Sequence, residues 1–365
     1  MITNDDHFLS AVLRPGLLDP AEVNQALNYF GSAEELFKSP EARLRLVGLS
    51  PHKTTKLRAA WQALDPATEA FRLENTSTAT IRLNSPFYPT LLRETPDPPP
   101  MLFVRGNPQA LLNEHKLSIV GSRKMTPYGE AATRQLVAPC VRRGITIVSG
   151  LAFGVDAAAH WVTMHGKGSA VAVLASGVDR ETLGPKANLR LADEIVATDG
   201  CLISERPPGA PADKRAFPLR NRIVAGLAGA TLIIEAAERS GSLITARLSL
   251  ELGRDVLAVP GPITSPLSAG SNRLISEGAT PALEANDLFQ ALNLPQTEPG
   301  KPTLKLNENQ TIIIKLLSEK PQLLDDLAEK CRLPINQTLT ALSELEEADI
   351  IRQTGEFVAL TNLDN

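Results

Sequence analysis

Nine consecutive residues, Lys214-Arg215-Ala216-Phe217-Pro218-Leu219-Arg220-Asn221-Arg222, hold four cations, an amide and one phenyl ring. Cations with an aromatic between them suit a polymer that carries charge along its backbone and flat rings at its side. Pro218 as the first residue of a helix places Arg222 one turn beyond it and leaves Lys214, Arg215 and Phe217 in the preceding loop. Two plainer readings use the same residues: a solvated basic helix end, or a structural pair in which Arg220 or Arg222 meets a carboxylate such as Glu235.

Other short segments could hold anions. In Gly121-Ser122-Arg123 the glycine lets backbone approach a ligand closely, and the arginine adds a fixed charge with a two-pronged donor fork. Ser149-Gly150-Leu151-Ala152-Phe153-Gly154-Val155-Asp156 is a glycine-rich turn ahead of a helix. It has neither the Gly-x-Gly-x-x-Gly of a dinucleotide site nor the Gly-Lys-Ser/Thr of a Walker loop. Tight packing is the plain reading of any one such turn. Ser240-Gly241-Ser242, before a helix with Thr245, is another helix N-terminus able to take an anion. Pro260-Gly261 and Ala269-Gly270-Ser271-Asn272-Arg273 add small polar loops. This many cradles exceed the need of a single nucleotide, whereas a strand of linked phosphates would occupy all of them.

Other chemistries find little support. Of five histidines, His160 and His165 stand at i, i+5, a poor ligand spacing, and His7, His52 and His115 are isolated. No His-Glu-x-x-His, Gly-x-Ser-x-Gly or carboxylate cluster occurs, so no metal or cofactor is expected. Asp156 and Glu235 are the acids to suspect of catalysis, and helix capping or an arginine pair explains them more cheaply. Cys140, Cys201 and Cys331 lie far apart, which argues against a disulfide framework and a cysteine zinc site. The opening Met1-Ile2-Thr3-Asn4-Asp5-Asp6 is acidic with no apolar stretch behind it, so the expected compartment is the cytoplasm.

These loops need a scaffold. From residue 117 onward, short β-branched runs (117–120, 145–148, 170–174, 201–204, 231–234 and 256–259) alternate with helix-length segments. Runs apolar on both faces are buried parallel strands, and six βα repeats predict a Rossmann-like doubly wound α/β sheet. In such a sheet ligands sit beyond the carboxyl ends of the strands, where every loop named above lies. Before the sheet, residues 84–100 are proline-rich and stiff, leading into a strand at 101–104. Residues 1–72 predict short helices. There Leu44–Ser50 and a basic helix with Lys53, Lys56 and Arg58 outline a helix-hairpin-helix, either a phosphate grip or a packing module with a solvated face. Residues 73–292 form the Rossmann-like domain, 293–306 a polar linker, and 307–365 three helices and a hairpin, the outline of a winged helix.

The chain has 365 residues and a formal net charge of −4, but residues 100–290 carry 20 Lys+Arg against 17 Asp+Glu. The sheet region is thus the net basic part, as a polyanion site requires.

In order along the chain, Tyr88-Pro89 with Asp97-Pro98-Pro99-Pro100, Gly121-Ser122-Arg123, Ser149-Gly150-Leu151-Ala152 with Gly154 and Asp156, Phe217-Pro218-Leu219-Arg220-Asn221-Arg222, Ser240-Gly241-Ser242-Leu243-Ile244-Thr245-Ala246, Val259-Pro260-Gly261, and Gly270 with Asn272 resemble the DprA (Smf) family of bacterial DNA-processing proteins. The likeness is dense over residues 84–290 and architectural in the flanks, which resemble a sterile-alpha-motif-like domain and a winged helix. It implies a sequence-independent single-stranded DNA binder rather than an enzyme. Such a protein protects incoming strands in natural transformation, loads RecA on them, helps overcome single-strand-binding protein, and works as a homodimer or larger assembly. By matched position, Arg123 and Lys214 would clamp phosphates and Phe217 would stack a base. Gly121, Ser122, Ser240, Gly241, Ser242, Gly270 and Asn272 would line the path, and Arg220, Asn221, Arg222 and Thr245 complete the expected DNA-binding set.

Two segments depart from the family pattern. Thr182-Leu183-Gly184-Pro185 stands where the family has a Tyr-Pro turn. The helix expected at Ile335–Ala348 holds Glu344, Glu346 and Glu347 and no lysine or arginine, which predicts protein contact rather than a tight DNA grip. A nucleotide or phosphoribosyl hydrolase of the lysine-decarboxylase-like Rossmann group is the alternative. Its Pro-Gly-Gly-x-Gly-Thr-x-x-Glu segment is replaced here by Pro260-Gly261-Pro262.

Overall fold

The computed structural model describes residues 3–295, 307–318, 320–331, 333–347, 350–355 and 357–360. Two compact units divide the chain, Met1–Gln296 and Thr297–Asn365. Most of the expected linker, residues 296–306, lies outside the described residues, as does Ala348.

The larger unit is built on nine strands: β1 Ala79–Arg82, β2 Met101–Gly106, β3 Lys116–Val120, β4 Thr146–Ser149, β5 Ala170–Val173, β6 Cys201–Ser204, β7 Ala230–Ile233, β8 Asp255–Ala258 and β9 Thr280–Pro281. They lie in the order β1-β2-β6-β5-β4-β3-β7-β8-β9. From β6 to β9 every pairing is parallel, while β1 and β2 extend one edge antiparallel. The six expected strands are all present. The 101–104 run is strand β2, antiparallel to both β6 and the edge strand β1, and β1 was missed because its four residues show one buried position and no sustained alternation.

Strand parity sorts the core into faces. Met101, Phe103, Ala170 and Ala172 point into one hydrophobic cluster, and Leu102, Val104, Val171 and Val173 into another. The first cluster also contains Leu9, Val23, Leu36, Leu57 and Trp61 from the opening helices. The opening helices and the sheet therefore share a core, and the helix Pro66–Asn75 runs across residues 72/73. Arg14 reinforces the junction: its guanidinium pairs with the buried Glu69 and donates to the Pro208 carbonyl at 2.8 Å. In the expected helix-hairpin-helix, Lys53 pairs with Glu22, Arg58 donates to the Phe37 carbonyl at 2.6 Å, and Lys56 is exposed.

The smaller unit has helices Glu308–Leu317, Leu324–Cys331 and Ile335–Glu347 and a three-stranded sheet of β10 Gln322–Leu323, β11 Ile351–Thr354 and β12 Phe357–Leu360. Helix–strand–helix–helix–hairpin around Ile313, Leu317, Leu327, Leu342 and Val358 is a winged helix.

Candidate nucleic-acid interface

From β3 the chain steps outward through β4, β5 and β6, then crosses back to place β7 on the other side of β3. The loops leaving β3 and β7 therefore diverge, which opens a crevice at the carboxyl edge. A cavity of about 440 Å³ lies there. Its walls come from Gly121–Lys124 after β3, Ala152 and Asp156 after β4, the start of the Ala216–Leu227 helix, and Arg239–Ser242 after β7.

The Arg123 guanidinium lies over the Phe217 ring, 5.3 Å from its centroid. At that separation a cation and a ring face attract. Arg123, Lys124 and Arg239 are exposed and Phe217 is half-buried, so the pair and its flanking charges face solvent. Opposite them, Ser240 caps the Gly241–Glu251 helix, whose first turn has no acidic residue to occupy its positive end. The Ser240 and Ser242 hydroxyls share a hydrogen bond at 2.6 Å, and the Asn221 amide donates to the Gly241 carbonyl at 3.4 Å. Pro218, Ile244 and Leu267 supply apolar wall beside the cations. The arrangement offers fixed positive charge, a helix N-terminus and a ring face within one opening.

Ten of the residues singled out in the sequence line this cavity: Gly121, Ser122, Arg123, Phe217, Arg220, Asn221, Ser240, Gly241, Ser242 and Thr245. Lys214 is exposed, three residues before Phe217 in the loop ahead of the helix, and does not border the cavity. Arg222 turns away: it pairs with Glu205, donates to the Asp97 carbonyl at 2.7 Å, and lines a second cavity of about 440 Å³. Gly270 and Asn272 do not border this cavity and make close contacts within the fold. A Cβ at Gly270 would stand 2.7 Å from the Ala237 oxygen, and the Asn272 side chain closes a reciprocal pair with Gly261 at 2.9 and 3.0 Å.

Three local expectations need correction. The helix starts at Ala216, not Pro218, because Asp213 accepts from the amides of Arg215 and Ala216 and so nucleates the first turn two residues earlier. Phe217 thereby stands on the helix rather than in a loop. Glu235 pairs with no arginine; it accepts from the Thr126 amide at 2.9 Å and the Thr126 hydroxyl at 2.5 Å, bracing the cap of the Pro127–Arg142 helix. The partner of Arg222 is Glu205 instead. Lys124 and Arg239 were missed as wall residues. Each adjoins a motif the sequence exposes, but only the crevice shows which neighbours face inward.

The carboxylate on the wall is Asp156, buried, accepting from the Gly150 amide at 3.1 Å and the Ala152 amide at 3.3 Å. Burial pushes its carboxyl above the usual range, against the pull of Arg220 and those amides. It is committed to the turn that carries it. Among the described residues no group of His, Cys, Asp and Glu could hold a metal ion, and no helix is long and apolar enough to cross a membrane.

Residues 79–293 match the family model of DNA recombination-mediator protein A, and residues 297–355 match the DprA winged helix domain. The Smf protein of Escherichia coli is 37% identical over 300 residues, covering 79% of each chain. The X-ray structure of DNA processing protein A from Streptococcus pneumoniae superposes with a TM-score of 0.69 at 31% identity, over 79% of this chain and 98% of that one. A Helicobacter pylori DNA processing protein A, whose structure was described for its single-stranded DNA binding mode, superposes with a TM-score of 0.53 at 28% identity, over 59% of this chain and 95% of that one.

Proposed function

The chain belongs to the DNA recombination-mediator protein A family of DNA-processing proteins, and on that premise we propose that it binds single-stranded DNA without regard to sequence and delivers it to the recombinase RecA. The observation that carries this reading is the Arg123–Phe217 pair at the mouth of the switch-point crevice. A phosphate meets Arg123 and Lys124, the next lies toward the Ser240-capped helix, and a base stacks on Phe217. Lys214, unpaired and exposed, catches the backbone outside the cavity. Every base has a stackable face and every nucleotide a phosphate, so the site is tolerant of sequence. The relative from Helicobacter pylori supports the choice of ligand.

Displacement of single-strand-binding protein, work as a homodimer and residence in the cytoplasm belong to the same proposal. So does a binding rather than catalytic role, since Asp156, the wall carboxylate, is tied to two amides.

Fluorescence anisotropy with single- and double-stranded oligonucleotides across a salt series tests it. Phe217→Ala should weaken single-strand binding by about 1–3 kcal/mol. Arg123→Ala and Lys214→Ala should each weaken it and flatten the salt slope by about 0.7 per lost phosphate contact. Unchanged binding in all three variants rejects the site. Turnover of nucleoside monophosphates would favour a hydrolase instead. Absence of any stimulation of RecA on strands coated with single-strand-binding protein would reject the delivery step.

A further inference from the structure

Arg220 stands one helical turn beyond Phe217 and borders the same cavity, yet it is only 5% exposed. Its Nη1 donates to the Val173 carbonyl at 2.6 Å, while its buried Nε has no hydrogen-bond partner. Among the described residues no carboxylate lies within ion-pair distance of it. What the guanidinium touches is backbone: a Cβ built on Gly150 would stand 1.9 Å from Nη1, 2.4 Å from Cζ and 2.5 Å from Nη2. The whole group thus lies against the Ser149–Asp156 turn, the same turn that Asp156 laces through the Gly150 and Ala152 amides.

That turn bears on Arg123. The Val155 amide donates to the Ser122 carbonyl at 3.2 Å. A Cβ on Gly154 would meet the Ser122 oxygen at 2.2 Å and the Arg123 carbonyl carbon at 2.8 Å, so the two loops touch through bare backbone. A continuous packed path therefore runs from Arg220 through Gly150 and Gly154 to Arg123, whose side chain returns over Phe217 on the helix that carries Arg220.

We infer that Arg220 is a positioning residue: pressed against Gly150, it sets the turn that holds Arg123 over Phe217, and it takes no phosphate itself. The inference rests on the proposed DNA site for its consequence, but not for its geometry. Without DNA, the ring current of Phe217 shifts the Arg123 side-chain resonances, a signal that reads the pair directly.

The test uses the full chain with Arg220→Lys, which keeps the charge and loses the planar contact, and Gly150→Ala, which pushes from the other side. In both, the Arg123 shift should move toward its free value while unfolding stays cooperative. Single-strand affinity should fall by about tenfold, and the same substitutions made on Arg123→Ala should cost nothing more, as expected of residues acting through one another. An unmoved Arg123 shift in the folded variants overturns the inference. So does an affinity loss that adds in full to that of Arg123→Ala, which would make Arg220 a phosphate ligand of its own. Loss of cooperative unfolding in both variants assigns the contact to the core and overturns it too. If the wild type does not bind single strands, the proposed function fails, and the resonance arm still decides the positioning role.

Discussion

Chemistry at single residues separates Arg123 from Arg14, Arg206 and Arg222. Arg14, Arg206 and Arg222 are neutralised by Glu69, Asp213 and Glu205, whereas Arg123 has a ring for a partner and solvent beyond. A cation with no carboxylate beside it keeps its charge available for a polyanion. Burial has a different effect at His160, which is fully enclosed. Burial, with Arg220 adding repulsion, pushes its pKa down to about 3 from the ordinary 6.5. The native histidine stays neutral while the unfolded one takes up a proton below pH 6.5, so protons favour the unfolded chain and stability falls as pH drops from 6.5 toward 3. His160→Leu should flatten that decline, as read by urea unfolding at pH 7 and pH 5. An equal pH dependence in the variant would show that other groups cause it.

At the level of turns, glycines divide into those the fold needs and those the ligand would need. Gly154 has φ +73° and no room for a Cβ. Gly154→Ala should cost well over 1 kcal/mol, since strain and clash combine, and should disturb both loops at once. Gly241, at the mouth of the crevice, has nothing within 4 Å of a built Cβ and no left-handed φ. Gly241→Ala should leave the melting temperature nearly unchanged yet weaken single-strand binding, because a methyl would stand where backbone meets the ligand. Equal losses of stability in the two variants would refute this division. The recognition-position helix Ile335–Glu347 makes the opposite point: it exposes Ile335 and Leu339, and Gln310 donates to its Glu344 at 2.7 Å. It presents no cation to a groove, which supports protein contact as its role.

For the molecule as a whole, the opening helices are part of the sheet's foundation. Leu9, Leu57 and Trp61 share a cluster with Met101, Phe103 and Leu202. Deleting residues 1–75 should expose that apolar face and yield aggregation or loss of cooperative unfolding. Ending the chain at residue 296 should cut between compact units, leaving unfolding and single-strand affinity close to those of the full chain. A fragment of residues 301–365 should fail to bind duplex DNA at physiological salt. Gel shifts and thermal melts on the three fragments check these outcomes, and tight duplex binding by the last would restore a groove-reading role.

The sequence by itself determined the doubly wound sheet, the winged helix and the loops in which binding residues must be sought. Those depend on local patterns: β-branched runs buried on both faces, helix-length spacers, and small residues at strand ends. It also carried the family likeness. Which members of the basic stretch face a ligand was not legible, because inward and outward positions on a helix depend on what packs behind it. Phe217, Arg220 and Arg222 sit within six residues, yet one opens to solvent, one presses on Gly150 and one pairs with Glu205. The stacking of Arg123 on Phe217 joins residues 94 positions apart, and the path that holds it runs through contacts among two loops and a helix. Such contacts have no trace in local spacing; only the crossing of the chain from one side of β3 to the other brings them together.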